Sequence, residues 1–246
     1  LLFTSPNDRA ACDALGLMQR QTVQFHWHNA DAQGSSFDSF DTFLAHLTQD
    51  KRKKIKQERR RVAEAGVTFR TAMGSSISTA DWDFFYQCYE RTYLEHGNAP
   101  YLSRAFFEHM QRNMPHHWVL FVAQREGRPI ASSLVAVQGL GTANAVAYGR
   151  YWGALERVDC LHFEACYYQP LNWCMTHNVQ RFEGGAQGEH KMARALMPVT
   201  TYSAHWLAHP AFADAVERYL ERESAGVNHY LDHLAERSPF KRQEPQ

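Results

Sequence analysis

The chain has little of what would mark an extracellular, membrane-spanning or metal-dependent protein. Its 246 residues include 5 cysteines, and Cys12, Cys88, Cys160, Cys166 and Cys174 form no Cys-x-x-Cys pair. An odd number of scattered thiols argues against a disulfide framework and for a reducing compartment. No apolar run approaches the roughly 18 residues of a membrane span, and no signal-peptide pattern opens the chain. A soluble, cytoplasmic protein with no membrane insertion is expected. Net charge is +0 with histidine neutral, so bulk charge points to neither a nucleic-acid nor a membrane-surface protein. His26 and His28 share one face of a strand, but no third ligand accompanies them, and zinc needs at least three. No metal site is expected. Gly-x-Ser-x-Gly, Walker-loop and Cys–His patterns are also missing, which excludes the hydrolases built on them. The chain opens on Leu1 without a methionine and is expected to be an N-terminally truncated fragment.

What is present is a rich core. Apolar residues make up 44% of the chain and aromatics 13%, enough for one large domain or a domain and a half. A short helix (8–17) and an aromatic strand (21–28) come first. Phe40, Phe43, Leu44 and Leu47 then recur at helical spacing behind Asp38 or Ser39 as cap. From Lys51 to Arg61 all but three positions are Lys or Arg, and only Ile55 and Val62 form an apolar stripe. So narrow a stripe places this helix on the surface or between two parts. It reads as a solvated arm, with a nucleic-acid backbone as the alternative partner. Val67 to Thr71 reads as a strand. Ser78 or Asp81 caps an aromatic helix, and a second helix spans 103–114. Segments 118–125 and 130–138 flank Glu126-Gly127-Arg128-Pro129 as a hairpin. Thr200 to Trp206 is a further strand, and Pro210 opens a long helix.

The densest signal lies between Asn144 and Lys191. It reads as strand (144–152), glycine turn at Gly153, helix (161–177), strand (179–183), then the polar loop Gly184-Gly-Ala-Gln-Gly-Glu-His-Lys191. A strand–helix–strand unit sets the end of its second strand beside the end of its first, where α/β sheets hold ligands. Glu183 and the loop are therefore expected beside Tyr148 to Trp152, with Tyr148, Arg150, Glu183, Gln187 and His190 lining one crevice. From residue 67 to 206 the order is strand, two helices, antiparallel meander, helix, strand, strand. That resembles the layout of the GNAT acyltransferase fold, a mixed α/β sheet flanked by helices.

Here the chain resembles a known family. Lys51 to Val67, ending Glu64-Ala-Gly-Val67, is similar to the basic helix and strand joining the two domains of Fem-type peptidoglycan aminoacyltransferases. Asn144 to Gly185, ending Phe-Glu-Gly-Gly, is similar to their strand, helix and Tyr-Asp-x-Gly-Gly block. Tyr148-Gly-Arg-Tyr-Trp-Gly153, Leu161-His-Phe-Glu-Ala-Cys-Tyr-Tyr168, Phe182-Glu-Gly-Gly-Ala-Gln-Gly-Glu-His-Lys191 and Thr201-Tyr-Ser-Ala-His-Trp206 resemble a bacterial branch of Fem-like N-acyltransferases. The resemblance implies tandem GNAT-like domains: residues 1–66 would end the first and carry the basic linking helix. Residues 67–246 would form the acyltransferase domain with its long C-terminal helix. Through the blocks just quoted it also points to Tyr151, Trp152, Tyr202 and His205 as substrate-side residues.

The implied chemistry is transfer of an acyl or aminoacyl group to an amine, in the modification of cell-wall precursors or amino acids. Glu183 is the candidate base, since an attacking amine must lose a proton; its structural alternative is a pair with Arg150 or Lys191. Glu189 and His190 are candidates for a proton relay, Lys191 for holding a phosphate or carboxylate, and Gln187 for donating and accepting hydrogen bonds. Gly184 and Gly185 would let backbone approach a ligand. Glu164, in the first turn of its helix, would face the crevice. Tyr167 and Tyr168 read as core. Arg150 and Gly153 partly match the GNAT pyrophosphate motif, but Leu155 occupies its last place. The acyl donor is therefore left as either acyl-CoA or aminoacyl-tRNA, the acceptor as a small-molecule amine, with no tightly bound cofactor. Two other readings stay open: a conventional acyl-CoA-dependent GNAT N-acetyltransferase, and a non-catalytic ligand- or tRNA-binding module.

Overall fold

A computed structural model describes residues 1–186 and 188–241. The described residues form two compact units, each discontinuous in sequence: a larger one of Trp27–Glu183 with Phe240 and Lys241, and a smaller one of Leu1–His26 with the described residues of Gly184–Pro239.

The larger unit is built on strands β2 (Val67–Met73), β3 (Trp118–Arg125), β4 (Arg128–Gln138), β5 (Val146–Ala154) and β6 (Arg181–Glu183), neighbours in that order. The first four pair antiparallel, and β6 lies parallel to β5 over three residues. The β3–β4 hairpin turns at Glu126 and Gly127, both with positive φ, the geometry that matches the twist of the flanking strands. Helices cover both faces, so β3 carries a continuous buried run rather than an alternating one. On one face, Trp82, Phe85 and Tyr89 of helix α4 (Thr79–Glu95) and Phe107 of α5 (Arg104–Asn113) pack on Trp118, Leu120 and Leu134. On the other, Val62 of helix α3 (Gln49–Glu64) and Leu161 pack on Ala123, Ile130 and Ala131.

Local signals in the sequence account for the helix starts. Ser39 caps α2 (Phe40–His46), Ser78 caps α4 in a reciprocal box with Asp81, and Ser103 caps α5. The helix expected over 161–177 is interrupted. It runs as α6 (Leu161–Phe163), a π-helical turn (Glu164–Tyr168) and α7 (Gln169–Thr176). Pro170, second in α7, brings no N–H and its ring crowds the carbonyl four residues back. The widened turn relieves both problems.

Strand β1 (Met18–His28), in the smaller unit as far as His26, pairs antiparallel with β7 (Met197–His205) from Met18↔His205 to His26↔Met197. Helix α1 (Pro6–Ala14) opens the unit and α8 (Pro210–Ala235) closes it, the latter tied to β1 by a two-point Arg20–Glu223 ion pair at 2.7 Å. Among the described residues no helix is long and apolar enough to cross a membrane. All five cysteines are free. Burial pushes the Cys88 thiol up to about 11, which makes it inert.

Candidate functional site

In the larger unit the site begins where β5 and β6 stop pairing. Their parallel register ends at Tyr148↔Glu183, while β5 continues to Ala154. Opposite β4 the register shifts between Leu134 and Val135, so Leu134 faces Tyr151 and Val135 faces Gly149. Arg150 is the extra residue of this bulge, and bulges redirect side chains near sites. Without it Tyr148 and Tyr151 would point to opposite faces. With it, both fall on the α4 side, because their partners Ala136 and Leu134 pack there. Glu183, beside Tyr148, shares that face.

The face is polar where the strands end. Arg181 Nε donates to Glu183 Oε1 at 2.9 Å, and its Nη2 approaches the same oxygen at 2.9 Å. The Glu183 side chain keeps 19% of its surface exposed, enough to meet a substrate. The Tyr148 hydroxyl donates to Gln138 Oε1 at 3.0 Å. Desolvation raises the pKa of that hydroxyl, the charge of Glu183 adds to the rise, and Arg181 opposes it. His28 is held below its ordinary value by desolvation and then by Arg181. Arg181 therefore pairs with Glu183 and acts electrostatically on Tyr148 and His28. The expected ion-pair partner, Arg150, instead lies over the Tyr151 ring at 5.6 Å.

Several expected site residues are used for packing. Tyr151 meets Phe85, Tyr89 and Phe107 edge-on or tilted, at centroid distances of 5.2–6.3 Å. Trp152 turns to the opposite face, where its ring meets His162 at 5.5 Å. Gly153 serves helix packing: a Cβ there would collide with the Cys88 carbonyl of α4, whose Thr92 hydroxyl donates to Trp152 O at 2.9 Å. Glu164 is 4% exposed and accepts from Arg59 at 3.2 Å and from Gln169 at 2.7 Å. It is a partner of α3 rather than an open carboxylate.

The loop after Glu183 belongs to the smaller unit and is organised by its own strand β1. Gly184 N donates to Phe25 O at 2.8 Å, and Phe25 N donates to Gly185 O at 3.0 Å. A Cβ on Gly184 would sit 3.2 Å from that same Phe25 oxygen and collide with Leu196. The glycine thus lets the chain pass close to β1, whereas the sequence suggested a ligand. A 3-10 turn follows at Glu189–Arg194. Lys191 and Arg194, 8% and 2% exposed, reach back to carbonyl oxygens: Lys191 Nζ to Gly184 at 2.6 Å and Arg194 Nη1 to His190 at 2.7 Å. Glu189 meets Arg237 at 2.7 Å, which occupies the carboxylate expected to relay protons with His190. His190 is held below its ordinary pKa by desolvation, then by the charges of Arg194 and Lys191. On β7, Tyr202 lies under the Arg9 guanidinium at 3.9 Å, and His205 Nε2 lies 2.8 Å from Ser203 Oγ. Gln187 lies outside the described residues.

Sequence reasoning brought Tyr148 and Glu183 together and missed Arg181, Gln138 and His28. Arg181 was legible in principle, since two residues apart on a strand means a shared face. Gln138 and His28 depend on which strands neighbour which, information that no local pattern carries.

The larger unit is a mixed sheet flanked by helices, with a carboxylate where its parallel pair ends. The FemAB-like family profile, described as peptidoglycan biosynthesis/recognition, matches residues 1–242, and the chain belongs to that family. No curated protein matches the sequence. Among solved structures, FemX is similar with a TM-score of 0.58 at 10% identity, covering 87% of this chain and 73% of its own. The L-PGS structure from Bacillus licheniformis gives 0.58 at 12% identity, covering 87% and 70%. The C-terminal domain of a putative lysylphosphatidylglycerol synthetase from Agrobacterium fabrum gives 0.56 at 12%, covering 81% and 65%. At such identities the likeness is one of fold, and this chain spans only about two thirds of the last structure.

Proposed function

We propose that the chain transfers an acyl or aminoacyl group to an amine, with Glu183 as the proton acceptor. The observation that carries this reading is the Tyr148↔Glu183 pairing at the end of the β5–β6 ladder, with Glu183 paired to Arg181. In the reaction the amine lone pair attacks the acyl carbon and forms the C–N bond. The C–O or C–S bond to the carrier then breaks, and the amine proton passes to the Glu183 carboxylate. No covalent enzyme intermediate is needed, so alignment and proton removal are the main tasks. Membership of a family described by peptidoglycan biosynthesis, and a fold shared with FemX and lysylphosphatidylglycerol synthetases, support aminoacyl transfer in cell-wall or lipid modification. Packing of Gly153 against α4 weighs against CoA phosphates at that position, so a tRNA-borne donor is carried beside acetyl-CoA.

The test offers the purified chain radiolabelled aminoacyl-tRNA or acetyl-CoA with a panel of amines, beside Glu183→Gln. That change keeps shape and hydrogen bonding but removes the base. Turnover should fall by roughly 10² to 10⁴ with the melting temperature unchanged. Full turnover in Glu183→Gln excludes the base. Loss of stability together with donor binding assigns Glu183 a structural role instead, and binding of either donor without transfer by the wild type would mark a binding module.

A further inference from the structure

The segment after β1 carries an aspartate whose carboxylate is only half used. Asp31 Oδ1 accepts from the Gln33 and Ser35 amides at 2.9 and 2.8 Å, and the Asp31 amide donates to Ser35 O at 2.9 Å. Asn29 Oδ1 accepts from the Phe37 amide at 3.1 Å. These bonds fix the turn, yet among the described residues no donor reaches Asp31 Oδ2. His46 Nε2 on α2 lies 4.0 Å from that oxygen, too far for a hydrogen bond. The other ring nitrogen, Nδ1, is 2.9 Å from Thr42 O. A carbonyl oxygen only accepts, so Nδ1 carries the hydrogen and Nε2 of the neutral ring is itself an acceptor. Two acceptors, one of them charged, thus stand 4.0 Å apart without a protein donor to either among the described residues.

Both residues line a cavity of about 580 Å³, within the roughly 300–1,000 Å³ usual for ligand sites. The methyl groups of Ala30, Ala32 and Ala45 and the rings of Phe37 and Phe240 also line it, so its walls are largely apolar. Phe37 is held in place by edge-on contacts with Phe43 and His46 at 5.4 and 5.2 Å. The Leu47↔Phe240 bridge and a 3.1 Å bond from the Lys241 amide to His46 O fasten Phe240 and Lys241 to the end of α2. Every one of these residues belongs to the larger unit. The cavity is therefore walled by fixed parts, which lowers the ordering cost of filling it.

We propose that this cavity binds a primary amine with an apolar, aromatic body, its ammonium group seated between Asp31 Oδ2 and His46 Nε2. An ammonium nitrogen about 2.8 Å from each acceptor spends two of its three hydrogens on them. Only 17% of the Asp31 side chain is exposed, so its attraction is screened less than on an open surface. The apolar walls take the body of the ligand out of water. Other chemistries fit worse. A carboxylate or phosphate would meet two acceptors and a negative charge. An alcohol brings one hydrogen for two acceptors. A metal ion needs further protein ligands, and among the described residues no group of three His, Cys, Asp or Glu is arranged to hold one. Lys241 also lines the cavity but is exposed, where salt and water screen its repulsion of the ammonium. Tyr148, Arg181 and Glu183 are not among the lining residues, and the proposal does not rest on the acyl-transfer reading.

The experiment titrates the full chain with tryptamine by calorimetry, beside two analogues that keep the indole: neutral 3-(2-hydroxyethyl)indole and anionic indole-3-propionate. Amide shifts of residues 30–37 and 45–46 by NMR locate the binding. Tryptamine should bind at least about tenfold more tightly than the alcohol, and the propionate more weakly still. Asp31→Asn keeps Oδ1 for the turn and removes the charge; it should weaken tryptamine at least about tenfold with the melting temperature unchanged. Ala45→Leu, which fills the cavity from an exposed position, should weaken every ligand that binds. Asp214→Asn, which removes a charge from the other unit, should change nothing. No binding of tryptamine at millimolar concentration overturns the proposal, as does equal binding of the three indoles, and neither result needs a variant. It is equally overturned by shifts confined to other residues, by an unchanged affinity in Asp31→Asn, or by an equal loss in Asp214→Asn. If Asp31→Asn fails to fold, the analogue series and Ala45→Leu decide alone. Glu183→Gln should bind tryptamine as the wild type does, so failure of the acyl-transfer reading leaves this result standing. Loss of binding in Glu183→Gln with the shifts moved to β5 and β6 would place the amine there and overturn the site.

Discussion

At the scale of single residues, charges placed near the candidate site set which groups can exchange protons. His190 shows this most directly. Its ring is partly desolvated and lies beside Arg194 and Lys191, so its pKa is lowered from 6.5. A lowered folded value means that the unfolded chain takes up the proton first as pH falls. The stability this histidine contributes is therefore present above 6.5 and is lost as pH drops through the folded value. The exposed ring makes the effect small, so the direct measurement is titration of the His190 ring signals by NMR. The midpoint should lie below 6.5, and Arg194→Gln should move it upward. A midpoint at or above 6.5 would remove the electrostatic account. At the same scale the sequence made the Tyr148–Glu183 pairing legible, because a strand–helix–strand unit sets its second strand beside its first. It left Arg181 unread as a partner, although the two-residue strand period contained that information.

At the scale of elements, closeness between backbones decides what glycine is for. Gly153 follows an aromatic strand and looks like a turn residue in the sequence, yet it lies inside β5, where the Cys88 carbonyl of α4 leaves no room for a Cβ. Gly153→Ala should cost about 1–3 kcal/mol in denaturant unfolding, the usual range for forcing extra volume into a packed site. Gly226 is the contrast. It sits within α8 with nothing near its missing Cβ, so alanine there should stabilise by about 0.5–1 kcal/mol. Equal responses at the two positions would refute the packing explanation. Helix starts were legible because a capping serine is a local signal. The π-helical turn before Pro170 was not, since proline announces only that the ladder must break and leaves the form of the break to tertiary contacts. Strand β6 is three residues long, too short for any period to show.

Over the whole molecule, burial is divided unequally between the two compact units. Of the largest fully buried side chains, Trp27, Trp82, Tyr89, Tyr168, Phe43, Phe85, Phe107, Phe121, Phe182, Leu47 and Ile55 belong to the larger unit. Phe25 alone belongs to the smaller. The smaller unit also carries Leu1, Leu2, Leu15, Trp206 and Phe212 at 68% exposure or more. None of this division was legible in the sequence. The resemblance implied a boundary at residue 66, and the return of the chain to the smaller unit at Gly184, more than a hundred residues after His26, is carried by no local pattern. Buried apolar surface is the dominant favourable term in folding, so local opening should cost less in the smaller unit. Native-state hydrogen exchange read by mass spectrometry tests this. Amides of β7 and α8 should exchange through openings well below the global unfolding free energy, while those of β3 and β4 should exchange only with global unfolding. In sequence, Glu183 ends the first stretch of the larger unit and Gly184 begins the second stretch of the smaller. The peptide carrying Gly184 to Arg194 should therefore exchange with β7, on the fast side. Equal protection of β7 and β4 would instead show one cooperative unit, with the site loop as rigid as the sheet.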